Sequence, residues 1–207
     1  MRTVNPLMPT EKHPFEPFLP EGARILFLGS FPPQEHRWCM PFYYPNWIND
    51  FWRIMGLIHF GDKDHFCVPG DKRFDETAIR KFCTGAGLAF YDTATEVRRL
   101  KDNASDAFLE VVTPTDIPAL LARIPQCHTL VTTGQKATEV ISSTFGCEVP
   151  PVGGFVDIVM PNPHHTCHSG LDPESPRHLH FYRMPSTSRA YPLPLEKKAE
   201  AYRKLFK

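Results

Sequence analysis

The sequence predicts an α/β protein: a three-layer α/β/α sandwich built on a mainly parallel central sheet. Two observations carry that prediction. Short apolar runs at 25–28, 88–91, 129–133, 155–160 and 179–184 alternate with stretches of helical periodicity. Several of these runs also end abruptly on small, hydroxylated or proline-bearing turns, as strands do where an open sheet presents its carboxyl ends to a ligand. At 207 residues and 42% hydrophobic content, the chain most simply forms one domain with a sizeable core.

In chain order, residues 1–23 carry prolines at 6, 9, 14, 17 and 20 and read as a surface arm wrapping a single domain at 24–207. The first strand, 25–28, breaks on Gly29-Ser30-Phe31-Pro32-Pro33. Gly29 permits close backbone approach and the prolines stiffen the turn. Trp47, Ile48, Phe51, Trp52, Ile54, Met55 and Ile58 then recur at helical spacing, with Asn46 as the predicted N-cap. A polar loop at 61–74 leads to a helix at 76–82. Strand 88–91 runs into Asp92-Thr93-Ala94-Thr95.

Thr115 is predicted to cap a helix reaching Ala122, with Pro118 in its first turn. After strand 129–133, Gly134 turns the chain into a helix at 135–145, closed by Gly146. Residues 161–177 show no period and read as an inserted loop between the last two strands. The final helix puts Leu195, Ala199, Tyr202 and Phe206 on one face, with Glu200 and Lys204 paired across a turn on the other.

Bulk properties set the class. Lys and Arg number 23, as do Asp and Glu, so any nucleic-acid contact has to come from a local patch. No apolar run reaches the length of a membrane span and no secretory signal opens the chain, which predicts a soluble intracellular protein. The cysteines lack Cys-x-x-Cys spacing and read as reduced thiols. His164, His165, Cys167, His168, His178 and His180 are zinc-type ligands, but their spacing matches no rigid framework. Neither a metal nor another cofactor is expected.

Three polar strand ends, Gly29-Ser30-Phe31-Pro32, Tyr91-Asp92-Thr93 and Met184-Pro185-Ser186-Thr187-Ser188-Arg189, would face one crevice of a parallel sheet. Together with Tyr43-Tyr44 and Asn49-Asp50-Phe51-Trp52 they resemble the uracil-DNA glycosylase superfamily. Within it, the Gly-Ser-x-Pro turn, Tyr-Tyr pair, Asn-x-Phe-Trp helix start and Pro-Ser-Thr-Ser loop are most similar to the branch that includes hypoxanthine-DNA (deoxyinosine) glycosylases.

That resemblance implies a DNA repair glycosylase, which flips a deaminated base, uracil or hypoxanthine, from DNA and hydrolyses its N-glycosidic bond. Asn49 would position the attacking water, or bond its own helix start. Asp50 would activate that water, or favour the helix N-terminus. Gly29, Ser30, Phe31 and Pro32 would lie beside the base. Phe51 would stack on it, or belong to the core. Asp92 would read the base edge, or cap a turn. Ser186, Thr187 and Ser188 would bond phosphates, with Arg189 or Tyr191 filling the hole left by the flipped base. Arg98, Arg99 and Lys101 would touch the backbone of DNA.

Two departures stand out. The turn has Ser30 and Phe31 where the superfamily often carries Asp or Asn, and Met184 replaces a base-contacting His or Asn. No lysine occupies a nucleophile position, so no lyase step follows. The chain would act as a monomer, cytoplasmic and nucleoid-associated when on DNA. The rival expectation is a non-catalytic nucleic-acid or nucleotide-binding module of the same fold.

Overall fold

The computed structural model describes residues 9–101, 108–160 and 176–206. It shows a mixed α/β fold with two sheets. The larger contains β2 (Ile25–Gly29), β3 (Leu88–Asp92), β6 (Thr129–Thr132), β7 (Gly154–Met160) and β8 (Arg177–Arg183), in the order β3-β2-β6-β8-β7. β2 pairs in parallel with β3 and β6, and β6 in parallel with β8. β7 alone runs antiparallel, along β8. The apolar runs of β2, β3 and β6 become its buried centre: every residue of β3 and β6 is buried, whereas β7 and β8 alternate buried and exposed residues. Phe27 stacks on Phe90 across the strands, 5.3 Å between centroids.

The second sheet was not foreseen. β1 (Thr10–Lys12), β4 (Ala94–Arg99) and β5 (Leu109–Pro114) form an antiparallel ladder in the order β1-β4-β5. Its strands are charged, and the charges are satisfied across the ladder. Arg98 pairs with its register partner Glu110 at 2.8 Å, and Arg99 with Glu11 at 2.9 Å. The proline-rich arm therefore enters the fold. Beyond β1, Phe18 exchanges backbone hydrogen bonds with Phe90, at 3.0 and 2.9 Å, on the free side of β3.

Helix α1 (Phe51–Phe60) starts four residues later than the apolar spacing predicts, with Asp50 and not Asn46 at its N-cap. The side chains of Asn46 and Asn49 accept hydrogen bonds from the backbone N–H groups of Ile48 and Phe51. These two local turns hold 46–50 out of helix, and Ile48 is left exposed.

Helix α2 (Glu76–Ala86) is capped by Asp75 and runs past the predicted end at 82. Helix α3 (Ile117–Arg123) is capped by Asp116, whose carboxylate accepts from Ala119 N–H. Thr115 instead donates its hydroxyl to the carbonyl of Asp92, at 2.7 Å. Helix α4 (Gln135–Phe145) has the predicted limits, and Gly146 ends it at φ 63°.

Helix α5 (Leu195–Tyr202) buries Ala199 and Tyr202. Glu200 pairs with Lys197 rather than Lys204, which reaches the carbonyl of Gly153. The predicted inserted loop lies outside the described residues up to position 175, whereas Arg177 opens β8. Its guanidinium donates to the carbonyls of Leu121, Ile124 and Cys127, closing the end of α3. No helix among the described residues is long and apolar enough to cross a membrane.

Candidate active site

β2, β3, β6 and β8 run in one direction, so their carboxyl ends share one edge of the sheet. A cavity of about 720 Å³ opens there. Gly29 to Pro33 after β2, Tyr91 and Asp92 at the end of β3, Thr133 to Gln135 after β6, and Arg183 and Met184 at the end of β8 form its walls. Tyr43 to Asn46, Asn49, Ser186 to Ser188 and Tyr191 also line it, as do Phe15, Val152 and Ala190. The structure thus brings Gly29, Ser30, Phe31, Pro32, Asn49, Asp92, Ser186, Thr187, Ser188 and Tyr191 together from distant parts of the sequence.

Gly29 and Asp92 are register partners on adjacent strands. A Cβ at position 29 would stand 2.4 Å from Asp92 Oδ1, so only glycine lets the carboxylate lie there. The other oxygen, Oδ2, is 3.0 Å from Nε2 of His13. Asn49 Oδ1 accepts from the backbone N–H of Phe51 at 2.9 Å. That bond leaves a second lone pair on the oxygen, and the amide N–H₂, for the cavity. The helix-start bond and a water-holding role are compatible.

Phe51 is fully buried and does not line the cavity. Tyr44, one of the aromatic residues that do line it, lies flat on Phe51 with centroids 3.8 Å apart and rings within 3° of parallel. Tyr44 is in the left-handed region at φ 51°, uncommon for a residue with a Cβ. Its hydroxyl meets Thr133 Oγ1 at 3.3 Å. Burial first, and the charge of Asp92 second, push the phenols of Tyr43 and Tyr91 above their ordinary pKa. Burial dominates at Tyr44 too, partly opposed by the Thr133 hydrogen bond. All three are neutral hydroxyls near pH 7.

Asp50 also stands outside the cavity lining. Lys198 Nζ is 2.9 Å from its Oδ2, and Arg189 Nε lies 3.6 Å from its Oδ1. The same lysine donates to the carbonyl of Ser188, and Asp50 N–H to that of Thr187. A carboxylate held this way fastens the 185–189 loop to α1 and is not presented to a water in the cavity. Arg189 is half exposed and sits beside this pair.

The basic run after Asp92 is likewise committed to structure. The Arg99 side chain, 8% exposed, is paired with Glu11, donates to the carbonyl of Pro32, and lies 5.7 Å from the Phe31 ring. Arg98 is paired with Glu110. Neither lines the cavity. Among the described residues the cation that does is Arg183, which donates to Gln135 Oε1 and to the carbonyl of Pro150. In the 185–189 loop, the Ser186 and Ser188 hydroxyls accept from the backbone N–H groups of Ser188 and Ala190. Their own protons are left to donate.

His178 and His180 are the described members of the zinc-type set, and His180 bonds Asp157 at 2.7 Å. Among the described residues no group of three or more His, Cys, Asp or Glu side chains is placed to hold a metal. Tyr44, Thr133, Arg183, Lys198 and His13 were missed by sequence reasoning. Tyr44 was within reach as half of the Tyr-Tyr pair. The other four carry no local pattern.

An α/β chain with a cavity of mixed polar and aromatic lining at the carboxyl ends of its parallel strands is the class that fold and site define. Among solved structures, the chain is similar to the solution NMR structure of a putative uracil DNA glycosylase from Methanosarcina acetivorans. The two are 20% identical, with a TM-score of 0.59, over 95% of this chain and 99% of the other. At that identity the likeness shows a shared fold. No protein-family model matches the sequence, and no curated protein does.

Proposed function

We propose that this protein is a monofunctional DNA glycosylase of the uracil-DNA glycosylase superfamily, acting on a deaminated base in the manner of the hypoxanthine-excising branch. The observation that carries the reading is the convergence of Asn49, Asp92 and the Tyr44 ring on one cavity, beside the Gly29 turn. Helices on both faces of the larger sheet, in a three-layer sandwich over 24–207, complete the architecture we propose.

Deamination converts the ring-nitrogen acceptor of adenine or cytosine into an N–H donor. A carboxylate only accepts, so Asp92 favours the lactam N–H of hypoxanthine or uracil over the lone pair of the parent base. Tyr44 supplies the stacking face in place of Phe51. The C1′–N bond breaks with its electron pair going to the base, leaving a cation-like sugar. Water held by Asn49 adds to C1′ and releases its proton to solvent or to the departing base. Thr133 and Gln135 supply donors near the base where Met184 cannot.

Arg183, with the Ser186 and Ser188 hydroxyls, replaces Arg98 and Arg99 as the phosphate contact. Arg189 and Tyr191 are left to fill the vacated stack. In this reading the partner is DNA carrying a damaged base. The chain works as a cytoplasmic monomer without a cofactor.

The test is incubation with oligonucleotides bearing one uracil, hypoxanthine or xanthine, followed by alkali to cut abasic sites. Cleavage at one lesion that falls roughly 10²–10³-fold in Asn49→Ala supports the enzyme. One observation favours a binding module instead: among the described residues Asp92 is the single carboxylate lining the cavity, and His13 already engages it. DNA binding without base release from any lesion would establish that second reading.

A further inference from the structure

We propose that His13, from the N-terminal segment, is a positioning residue for base recognition: it fixes the Asp92 carboxylate so that Oδ1 alone meets the base. The proposal rests on the reading of Asp92 as the base acceptor. His13 lies 79 residues from Asp92 in sequence, yet its Nε2 is 3.0 Å from Oδ2. Its side chain is 2% exposed. Nδ1 is held by the backbone of Phe15, 2.8 Å from the carbonyl oxygen and 3.1 Å from the nitrogen. The ring packs against Tyr91, Phe31 and Phe15, at centroid distances of 4.6, 5.3 and 5.9 Å. The backbone N–H of His13 donates to Thr95 at 2.8 Å. Both ring nitrogens are engaged and the ring is wedged, so the imidazole has one orientation.

That orientation decides what Asp92 does. A carboxylate oxygen only accepts, so the 3.0 Å contact to Oδ2 places an N–H on Nε2, while Nδ1 is held by the Phe15 backbone. Oδ2 is therefore occupied, and the carboxylate cannot swing without losing that bond. Oδ1 is left over Gly29, which is itself part of the cavity wall. The Asp92 backbone is pinned as well: the Thr115 hydroxyl donates to its carbonyl, and Thr93 N–H to that of Gly29. A single acceptor at a fixed point reads one N–H, whereas a free carboxylate would also chelate the amino group of an undamaged base.

The experiment compares wild type, His13→Ala and His13→Gln, the last keeping an N–H donor near the position of Nε2. Two affinities are read: for free hypoxanthine and uracil, and for duplex DNA with a tetrahydrofuran abasic analogue. The expected result is a ~10–100-fold loss of free-base affinity in His13→Ala. Abasic-DNA affinity should stay unchanged, and His13→Gln should recover most of the loss. Equal weakening of both ligands, or of neither, overturns the proposal.

A crystal structure of His13→Ala tests the geometry without any ligand. The Asp92 carboxylate should leave its place over Gly29, and a carboxylate that stays overturns the positioning role. Wild type that binds no base and cuts no lesion would sink the glycosylase reading instead, and the His13→Ala structure would still decide the role of His13.

Discussion

Gly29 and Asp92 face each other on neighbouring strands so closely that one hydrogen atom separates a working geometry from a clash. A methyl at position 29 would sit 2.4 Å from Oδ1, against a carboxylate whose other oxygen is held by His13. Gly29→Ala should cost ~1–3 kcal/mol of stability, read from a urea unfolding midpoint. Base release should fall further than that stability loss explains, because in the proposed reading the displaced group is the base acceptor. A variant as stable and as active as wild type would show that Asp92 has room to move. Tyr44 makes a second case: Tyr44→Ala should lose ~1–3 kcal/mol of base binding, while Tyr44→Phe, keeping the ring, should lose little. Free-base titration separates the two. Gly29, Asn49 and Asp92 were legible in the sequence because short motifs carry them. The ring that faces the cavity was not, since the order in which Tyr44 and Phe51 stack depends on a backbone angle at Tyr44 that residue type does not announce.

Helices α1 and α5 meet through charge as well as apolar packing. Lys198 and Asp50 are 1% and 9% exposed in their side chains, and the lysine also holds Ser188. Lys198→Met strands a buried carboxylate and should destabilise the fold by about 3–5 kcal/mol, measured by chemical denaturation. Pairing it with Asp50→Leu should recover much of that, because an apolar pair of similar volume needs no counter-charge. Helical periodicity placed Lys198 on α5 but could not name a partner 148 residues away. The other end of α1 predicts a pH response. His59 packs on Phe82 and Phe206, and its Nε2 is buried with no hydrogen-bond partner among the described residues. Burial lowers its pKa below the ordinary 6.5, so the unfolded chain takes up the proton first. The stability this neutral ring contributes is complete above pH 6.5 and is lost as pH falls below it towards the lower folded-state value. Unfolding midpoints between pH 7.5 and 5.5 should fall more steeply for wild type than for His59→Phe. Parallel curves would assign the loss to other groups, among them His128, whose pKa burial also lowers.

At the scale of the molecule, the centre of the larger sheet was readable because β2, β3 and β6 are buried almost throughout and so nearly continuous in apolar residues. The β1-β4-β5 sheet was not, because Glu96, Arg98 and Arg99 look like a solvated loop until Glu11 and Glu110 are seen opposite them. The same blindness made residues 10–18 look peripheral. They supply an edge strand to β4, a bridge along the open side of β3, and His13 beside Asp92. Deleting residues 1–19 should therefore do three things at once. It removes Phe15, Phe18 and Leu19 from their packing on the core, at a cost of ~3 kcal/mol or more. It bares the β3 and β4 edges, a template for association between chains. It also releases Asp92. The truncated chain should unfold at lower urea and elute in light scattering as aggregate, whereas Phe18→Ala in the full chain should lose stability while His13 stays on Asp92. If the deletion leaves unfolding and association as they were, residues 10–18 only decorate a domain that is complete without them. Loss of stability with base release intact would instead separate the fold's need for this segment from the site's.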